Sequence, residues 1–491
     1  MNVLMIYPAC PDTFWGFRHA LNFISKKAVH PPLGILTVAA MLPGEWKKKV
    51  VDMNVSRLKD KDIDWADIVF ISAMAVQKKS TLAVIARAKR NGKTTVAGGP
   101  LFSASPDEFG DVDHLVLDEA ELTLPGFLRD LRDGTPKKVY RAEGYPELEG
   151  TPVPMWELLD MKKYASMDIQ YSRGCPFDCD FCDITTLFGR KVRSKNKWQL
   201  LTELEQLYFT GWRGNVFFVD DNFIGNKTKL KKDVLPAMIQ WQQKRKTPFI
   251  FSTEVSVNIA DDEELMRLMV AAGFESVFVG IETPAEESLE GCNKKQNTNR
   301  NLVECVKKIQ AFGLDVTGGF IVGFDNDPPS IFTRQIEFIK NSGIITAMVG
   351  LLNAPRNSKL YKRLKSENRL LKECTGDNTD FSINFIPQMD LGRLLEGYRT
   401  VIKELYSYKP YYERVTAFLK AKKIEAGKKL RFRPTYIKAF FQSVVVLGIK
   451  DRGRLYFWKL FFWSLFKRPR VFALAITYAI YGFHFRKIFN I

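Results

Sequence analysis

Arg173-Gly174-Cys175-Pro176-Phe177-Asp178-Cys179-Asp180-Phe181-Cys182 places three thiols within eight positions, directly after a short strand-like run from Asp168 to Tyr171. Only seven Cys occur in the 491 residues, too few for a disulfide framework, so the trio reads as a metal site in a reducing cytoplasm. Thiolates hold iron–sulfur clusters, and a four-iron cluster takes one ligand per iron. Three ligands leave one iron open to a small molecule. Zinc is the competing reading and lacks its fourth donor, because no further Cys or His lies nearby and the chain has only four His.

Working outward from this loop, strand-like runs continue at Asn215 to Val219, Phe249 to Glu254, Ser276 to Ile281, Val316 to Phe324 and Ile345 to Leu351. Helical patterns such as Trp198 to Phe209 and Asp262 to Ala272 separate them. Six βα units predict a partial (β/α)6 barrel, whose chemistry belongs at the C-terminal ends of its strands. Upstream, five shorter runs alternate with helices: Val3 to Tyr7, Lys49 to Met53, Ile68 to Ala73, Thr94 to Ala97 and His114 to Leu117. They predict an N-terminal doubly wound, flavodoxin-like domain with its ligand at the strands' carboxyl ends. The expected division is 1–140 for this domain, 141–160 for a proline-bearing linker, 161–355 for the barrel, 356–407 for a helical extension and 408–491 for a tail. The fold class is therefore α/β with an α-helical C-terminal extension.

Several residues at predicted strand ends are candidates for ligand contact. Gly98 and Gly99 precede Pro100, where missing side chains let a ligand approach the backbone, although a tight turn would need them equally. Asp220, Asp221 and Asn222 follow one barrel strand, and Glu254 and Glu282 end two others. Helix capping or solvation is the ordinary work of such Asp and Asn residues. No Gly-x-Gly-x-x-Gly follows a first strand, so nicotinamide binding has little support.

Cys-x3-Cys-x2-Cys after the first strand of such a barrel resembles the radical S-adenosylmethionine (SAM) superfamily, and the preceding domain resembles its cobalamin-binding class. Thr13-Phe14-Trp15, Gly98-Gly99-Pro100-Leu101-Phe102, Phe218-Val219-Asp220-Asp221-Asn222-Phe223, Gly280-Ile281-Glu282-Thr283-Pro284 and Gly319-Phe320-Ile321-Val322-Gly323-Phe324 are similar to blocks of the hopanoid C-2 methylase branch. The resemblance implies that Cys175, Cys179 and Cys182 hold a [4Fe-4S] cluster whose open iron chelates SAM, and that an electron donor such as flavodoxin or ferredoxin starts the cleavage of SAM to a 5′-deoxyadenosyl radical. It implies SAM contacts for Glu254, Glu282 and the Asp220-Asp221-Asn222 block. It also implies cobalamin contacts for Gly98, Gly99, Thr13, Phe14 and Trp15. Asp-x-His-x-x-Gly, which supplies a lower axial His in many cobalamin proteins, is absent, and the chain reads Pro8-Ala9-Cys10-Pro11-Asp12-Thr13-Phe14-Trp15. Cobalamin is therefore expected in a His-off form.

The net charge of +18 is unevenly spread. From Tyr408 onward 19 Lys and Arg face three acids, so 16 of the excess charges and 21 of the 62 aromatic residues lie in the last 84 positions. The longest uncharged stretch there, Val471 to Phe485, has 15 residues, below the roughly 20 of a spanning helix. Cations interleaved with rings suit the headgroup layer of an anionic membrane. A helical cap on the barrel and nucleic-acid contact are the competing readings. The whole predicts a cytoplasmic enzyme, peripheral at the inner face of the membrane, methylating an unactivated carbon of a hydrophobic, hopanoid-like lipid. Its rivals are a radical SAM cyclisation or carbon–carbon coupling, and an iron–sulfur RNA-binding modifier.

Overall fold

The computed structural model describes residues 1–377, 379–422 and 434–491. Tail positions 423–433, and residue 378 of the expected extension, lie outside the described residues. The chain divides into two compact units that cut across the sequence order: Met1–Pro11, His30–Phe251 and Ala354–Asp377 form one, and Asp12–Val29, Ser252–Asn353 and Asn378–Ile491 the other.

The first unit contains a six-stranded parallel sheet of β1 (Asn2–Tyr7), β2 (Lys47–Asp52), β3 (Ile68–Ser72), β4 (Thr94–Gly98), β5 (His114–Val116) and β6 (Val139–Tyr140), in the order β2-β1-β3-β4-β5-β6. Strands covered on both faces must be apolar throughout, and Val3, Leu4, Met5 and Ile6 of β1 are fully buried. Helices α1 (Leu33–Met41), α2 (Lys78–Arg90) and α3 (Ala120–Arg132) connect them. The sheet gains one strand over the five expected, because Val139–Tyr140 adds in register beside β5 before the linker begins. A two-residue strand carries no periodicity and is invisible in sequence.

The second sheet has the order β14-β13-β12-β11-β10-β7, as a partial barrel requires. Its strands are β7 (Ser166–Ile169), β10 (Asn215–Phe218), β11 (Ile250–Val255), β12 (Phe274–Glu282), β13 (Asp315–Val322) and β14 (Ala347–Leu351). Between β7 and β10, β8 (Ser172–Arg173) and β9 (Arg193–Ser194) pair antiparallel, and α4 (Lys197–Phe209) follows. The division between units falls inside β11, and α5 (Glu263–Ala272) begins the second unit's helices.

In the second unit α6 (Leu391–Tyr406) is pinned to β14, where Tyr406 Oη donates to Ala347 O at 2.6 Å and Tyr398 Oη to Val349 O at 2.9 Å. The tail supplies α7 (Tyr408–Ala421), α8 (Pro434–Val445), α9 (Arg454–Lys467) and α10 (Phe472–Phe489). Helices α7 and α10 belong to the unit's interior: Tyr411 Oη donates to Tyr478 O at 2.7 Å, and Phe485 lies 4.8 Å from the Tyr406 ring. Among the described residues no helix is long and apolar enough to cross a membrane.

Candidate functional site

Gly174 opens the cysteine loop at a place only glycine can occupy. Its φ is +91°, and a Cβ there would meet Lys191 O at 2.8 Å and Gly189 O at 3.0 Å, so the outgoing and returning strands of the loop cross in contact. Cys175 N donates to Gly189 O at 3.3 Å, and Cys182 N closes a turn onto Cys179 O at 3.2 Å. None of the three thiols is in a disulfide; Cys179 is buried and its two companions half-buried. Among the described residues no three His, Cys, Asp or Glu side chains converge as ligands of one ion. A four-iron cluster asks for something else, one thiolate for each of three irons, and three unbridged cysteines on one turned loop are that donor set.

The carboxylates after β10 divide their work. Asp220 is fully buried and accepts from Tyr171 N at 3.0 Å, from Ser172 Oγ at 2.5 Å and from Ser172 N, so it holds the chain that leads into the cysteine loop. Burial pushes its carboxyl up to about 6. Asp221 faces a cavity, and burial together with the Asp220 charge pushes it up to about 7. Asn222 is buried immediately before the short helix Phe223–Asn226.

That cavity, of about 830 Å³, lies wholly within the first unit. The carboxyl ends of the first sheet open into it through Tyr7, Ser72, Gly98 and Val116, and Asp168 and Gln170 supply the end of β7. Gly98 and Gly99 are forced by the fold as well as by the space: a Cβ on Gly98 would meet Val116 O at 2.5 Å, and Gly99 has φ +93° with Ser72 Oγ at 2.8 Å from its virtual Cβ. Pro31, Leu33, Ile35 and Val38 make one apolar wall. Arg141, Gly144 and Tyr145 bring the linker across it. A largely apolar chamber with polar groups at strand ends, at the upper end of ordinary ligand-pocket size, fits a bulky organic cofactor.

The remaining candidates lie in the second unit. Glu282 ends β12 in the left-handed region at φ +64°, just where the β12–β13 register slips, and Lys294 Nζ holds its Oε1 at 2.6 Å. Such strain in a non-glycine residue costs on the order of 1–3 kcal/mol and gathers at functional sites. Glu254 is half-buried near the end of β11. Thr13 Oγ1 accepts from Gly16 N at 3.2 Å, and Phe14 is buried, stacked on Phe485 at 4.4 Å. Trp15 is half-buried and meets the edge of Phe278 at 5.5 Å.

Sequence reasoning missed three contributors. His30 has no motif around it, yet its Nδ1 lies 2.7 Å from Asp168 Oδ1 in the cavity wall. Tyr145 sits in a stretch that reads only as linker. Arg173, which does stand next to the motif, is joined to Glu119 and Glu121 more than 50 residues away, a pairing that no local pattern announces.

Comparison with known proteins agrees with this geometry. The family model for the B12 binding domain matches residues 21–128, that for the radical SAM superfamily residues 169–339, and a domain of unknown function residues 358–491. An uncharacterized methyltransferase of Synechocystis sp. is 43% identical, covering 99% of this chain and 91% of that protein. The hopanoid C-2 methylase of Rhodopseudomonas palustris is 32% identical, covering 93% and 88%. Among solved structures, the cobalamin-dependent SAM radical enzyme OxsB with aqua-cobalamin and SAM bound superposes with a TM-score of 0.64 at 15% identity, over 100% of this chain and 79% of that one. The radical SAM methyltransferase TsrM from Kitasatospora setae, with cobalamin and a [4Fe-4S] cluster bound, gives 0.60 at 13% identity, over 93% and 97%.

Sheet order, thiol loop and cofactor-sized chamber define a radical SAM enzyme with a cobalamin-binding domain. The chain belongs to the cobalamin-binding radical SAM methyltransferase family that includes the hopanoid C-2 methylase. Its cofactors are a [4Fe-4S] cluster, SAM and cobalamin.

Proposed function

We propose that the enzyme methylates an unactivated carbon of a hydrophobic, hopanoid-like lipid while resting on the inner face of an anionic membrane. The observation that carries this reading is an apolar surface on the tail. Phe441, Ile449, Leu455 and Phe466 are 63%, 60%, 77% and 74% exposed, and ten of the 21 large apolar side chains exposed among the described residues lie from Ile437 onward. Lys438, Lys450, Arg452, Arg454, Lys459 and Lys467 interleave with them in sequence. Exposed rings among cations are what an interfacial helix pair needs. The 32% identity to a hopanoid methylase supports the same substrate class.

When bound, the cluster with SAM supplies a 5′-deoxyadenosyl radical and cobalamin supplies the methyl group, chemistry that belongs to the cofactors. The chain's own residues bind and orient. Cys175, Cys179 and Cys182 hold the cluster, and Asp220 fixes the strand that presents them. Glu254 and Glu282 would accept from the amino or ribose groups of SAM, and Asp221 and Asn222 would line the same pocket. Gly98 and Gly99 keep side chains out of the chamber, which would hold cobalamin. Of the Thr13 to Trp15 segment, Trp15 keeps a partly exposed ring for cofactor or substrate, and Thr13 and Phe14 support it. Flavodoxin or ferredoxin delivers the electron.

The test is anaerobic reconstitution with SAM carrying a labelled methyl group, methylcobalamin, reductant and extracted membrane lipid. Label in a polycyclic lipid fraction is expected. Deoxyadenosine formation with no label in any lipid overturns the substrate assignment. The Phe441→Asp, Phe462→Asp, Phe466→Asp triple variant should lose co-flotation with phosphatidylglycerol vesicles, and flotation equal to the parent overturns the membrane contact.

A further inference from the structure

Arg173 and Arg193 are directly opposed in the antiparallel β8–β9 pair, the base from which the cysteine loop departs and to which it returns. Like charges at a paired position repel, and here both side chains are nearly out of solvent, 11% and 3% exposed. The pair persists because a carboxylate lies between them. Glu119 Oε2 accepts from Arg173 Nη1 at 2.5 Å and from Arg193 Nη1 at 3.0 Å, while its Oε1 accepts from Arg193 Nη2 at 2.7 Å. Glu121 takes the other side of Arg173, with Nη2 to Oε1 at 2.8 Å and Nη1 to Oε2 at 3.0 Å.

The two arginines carry further bonds to the loop and the chamber. Arg193 also donates to Phe188 O at 2.9 Å, inside the loop, and to Pro146 O at 2.6 Å. Arg173 Nε donates to Gln170 Oε1 at 2.8 Å. Thr151 Oγ1 of the linker donates to Glu121 Oε1 at 3.0 Å. Two cations and two anions are thus neutralised with near-complete hydrogen bonding, the condition under which buried ion pairs hold a geometry.

The carboxylates come from a different part of the fold. Glu119 and Glu121 stand at the start of α3, immediately after β5, and both line the cavity, as do Arg173, Gln170 and Phe188. The start of a helix favours negative charge. One carboxylate at the chamber wall therefore grips both ends of the loop that carries Cys175, Cys179 and Cys182.

We infer that Glu119 is a positioning residue that couples occupancy of the cofactor chamber to the geometry of the cluster loop. The coupling is a free energy shared by two sites and is reciprocal: a ligand in the chamber changes SAM affinity at the cluster by the factor by which SAM changes affinity in the chamber. Neither the lipid substrate nor the membrane contact enters this inference.

The experiment uses the full chain with its cluster reconstituted, without any lipid. SAM affinity is measured with and without hydroxocobalamin, read from the SAM-induced change in the electron paramagnetic resonance of the reduced cluster. For the parent enzyme a change of at least about fivefold on adding hydroxocobalamin is expected, the low end of typical couplings. Glu119→Gln, at parental iron content, is expected to reduce that factor below about twofold while still binding SAM and hydroxocobalamin separately. A residue that merely stabilised the fold would lower the melting temperature and leave the factor intact. Should Glu119→Gln fail to retain iron, Glu119→Asp, which keeps the charge but shortens its reach between Arg173 and Arg193 by one methylene, carries the test and is expected to give an intermediate factor. Parental coupling in whichever variant is read, or no coupling in the parent, overturns the inference.

Discussion

The cofactor chamber and the α8–α9 surface invert the usual partition of residues in opposite directions. The chamber wall buries Glu119, and Arg193 and Asp220 are buried at the base of the cysteine loop, while the tail exposes Phe441, Leu455 and Phe466. A buried charge or an exposed large hydrocarbon is the informative departure from ordinary burial. Each of those three charges has named partners at hydrogen-bond distance, so the inversion there is internally compensated. On the tail none of the described residues covers the rings. The first region is built to hold groups in place; the second is where the membrane contact is proposed.

The comparison breaks most completely at the thiols. Cys179→Ala should lose cluster iron and all deoxyadenosine formation, measured by iron assay and chromatography; retained turnover would remove the chemical reason for the chamber. Gly98→Val forces a side chain against Val116 O and into the cavity. It should cost about 1–3 kcal/mol in denaturant unfolding. Bound cobalamin should fall by at least tenfold in the absorbance spectrum.

Asp327 sharpens the buried-charge side. It accepts from Ser288 Oγ at 2.7 Å and from Gly323 N at 2.7 Å, yet burial pushes its carboxyl up to about 6. The folded chain then binds that proton more tightly than the unfolded chain does. Its contribution is full below about pH 4 and is lost as pH rises through about 6, a change of about 3 kcal/mol. Denaturant midpoints of Asp327→Asn measured across that window should lose this part of the slope. The smallest effect belongs to the exposed face: Phe466→Asp alone should weaken vesicle binding severalfold and shift stability by no more than about 0.5 kcal/mol.

Strand positions were legible because apolar runs of this length, bounded by Gly, Pro and Asn, have few other uses. The runs Ile68 to Ala73 and Asn215 to Val219 match β3 and β10 to within a residue. The cysteine loop was legible for the same reason, local spacing. Asp220 illustrates the limit: its place at a strand end was visible, but its oxygens are spent on Tyr171 and Ser172, which only the folded loop brings to them. Helices α9 and α10 illustrate another, since both are aromatic on every side and no periodicity separates a buried face from an exposed one. Val471 to Phe485, the most apolar stretch of the tail, proves to be mostly interior packing, and the exposed rings lie on α8 and α9 instead.

By itself the sequence determined the α/β class, the two strand series, the thiol donor set and the concentration of charge in the tail, all properties of neighbours along the chain. Tertiary structure alone decided that Glu119 clamps both ends of the cluster loop, that His30 faces Asp168, and which tail rings remain outside. Those contacts join residues tens to hundreds of positions apart, and burial and charge pairing act through space, where sequence periodicity carries no information.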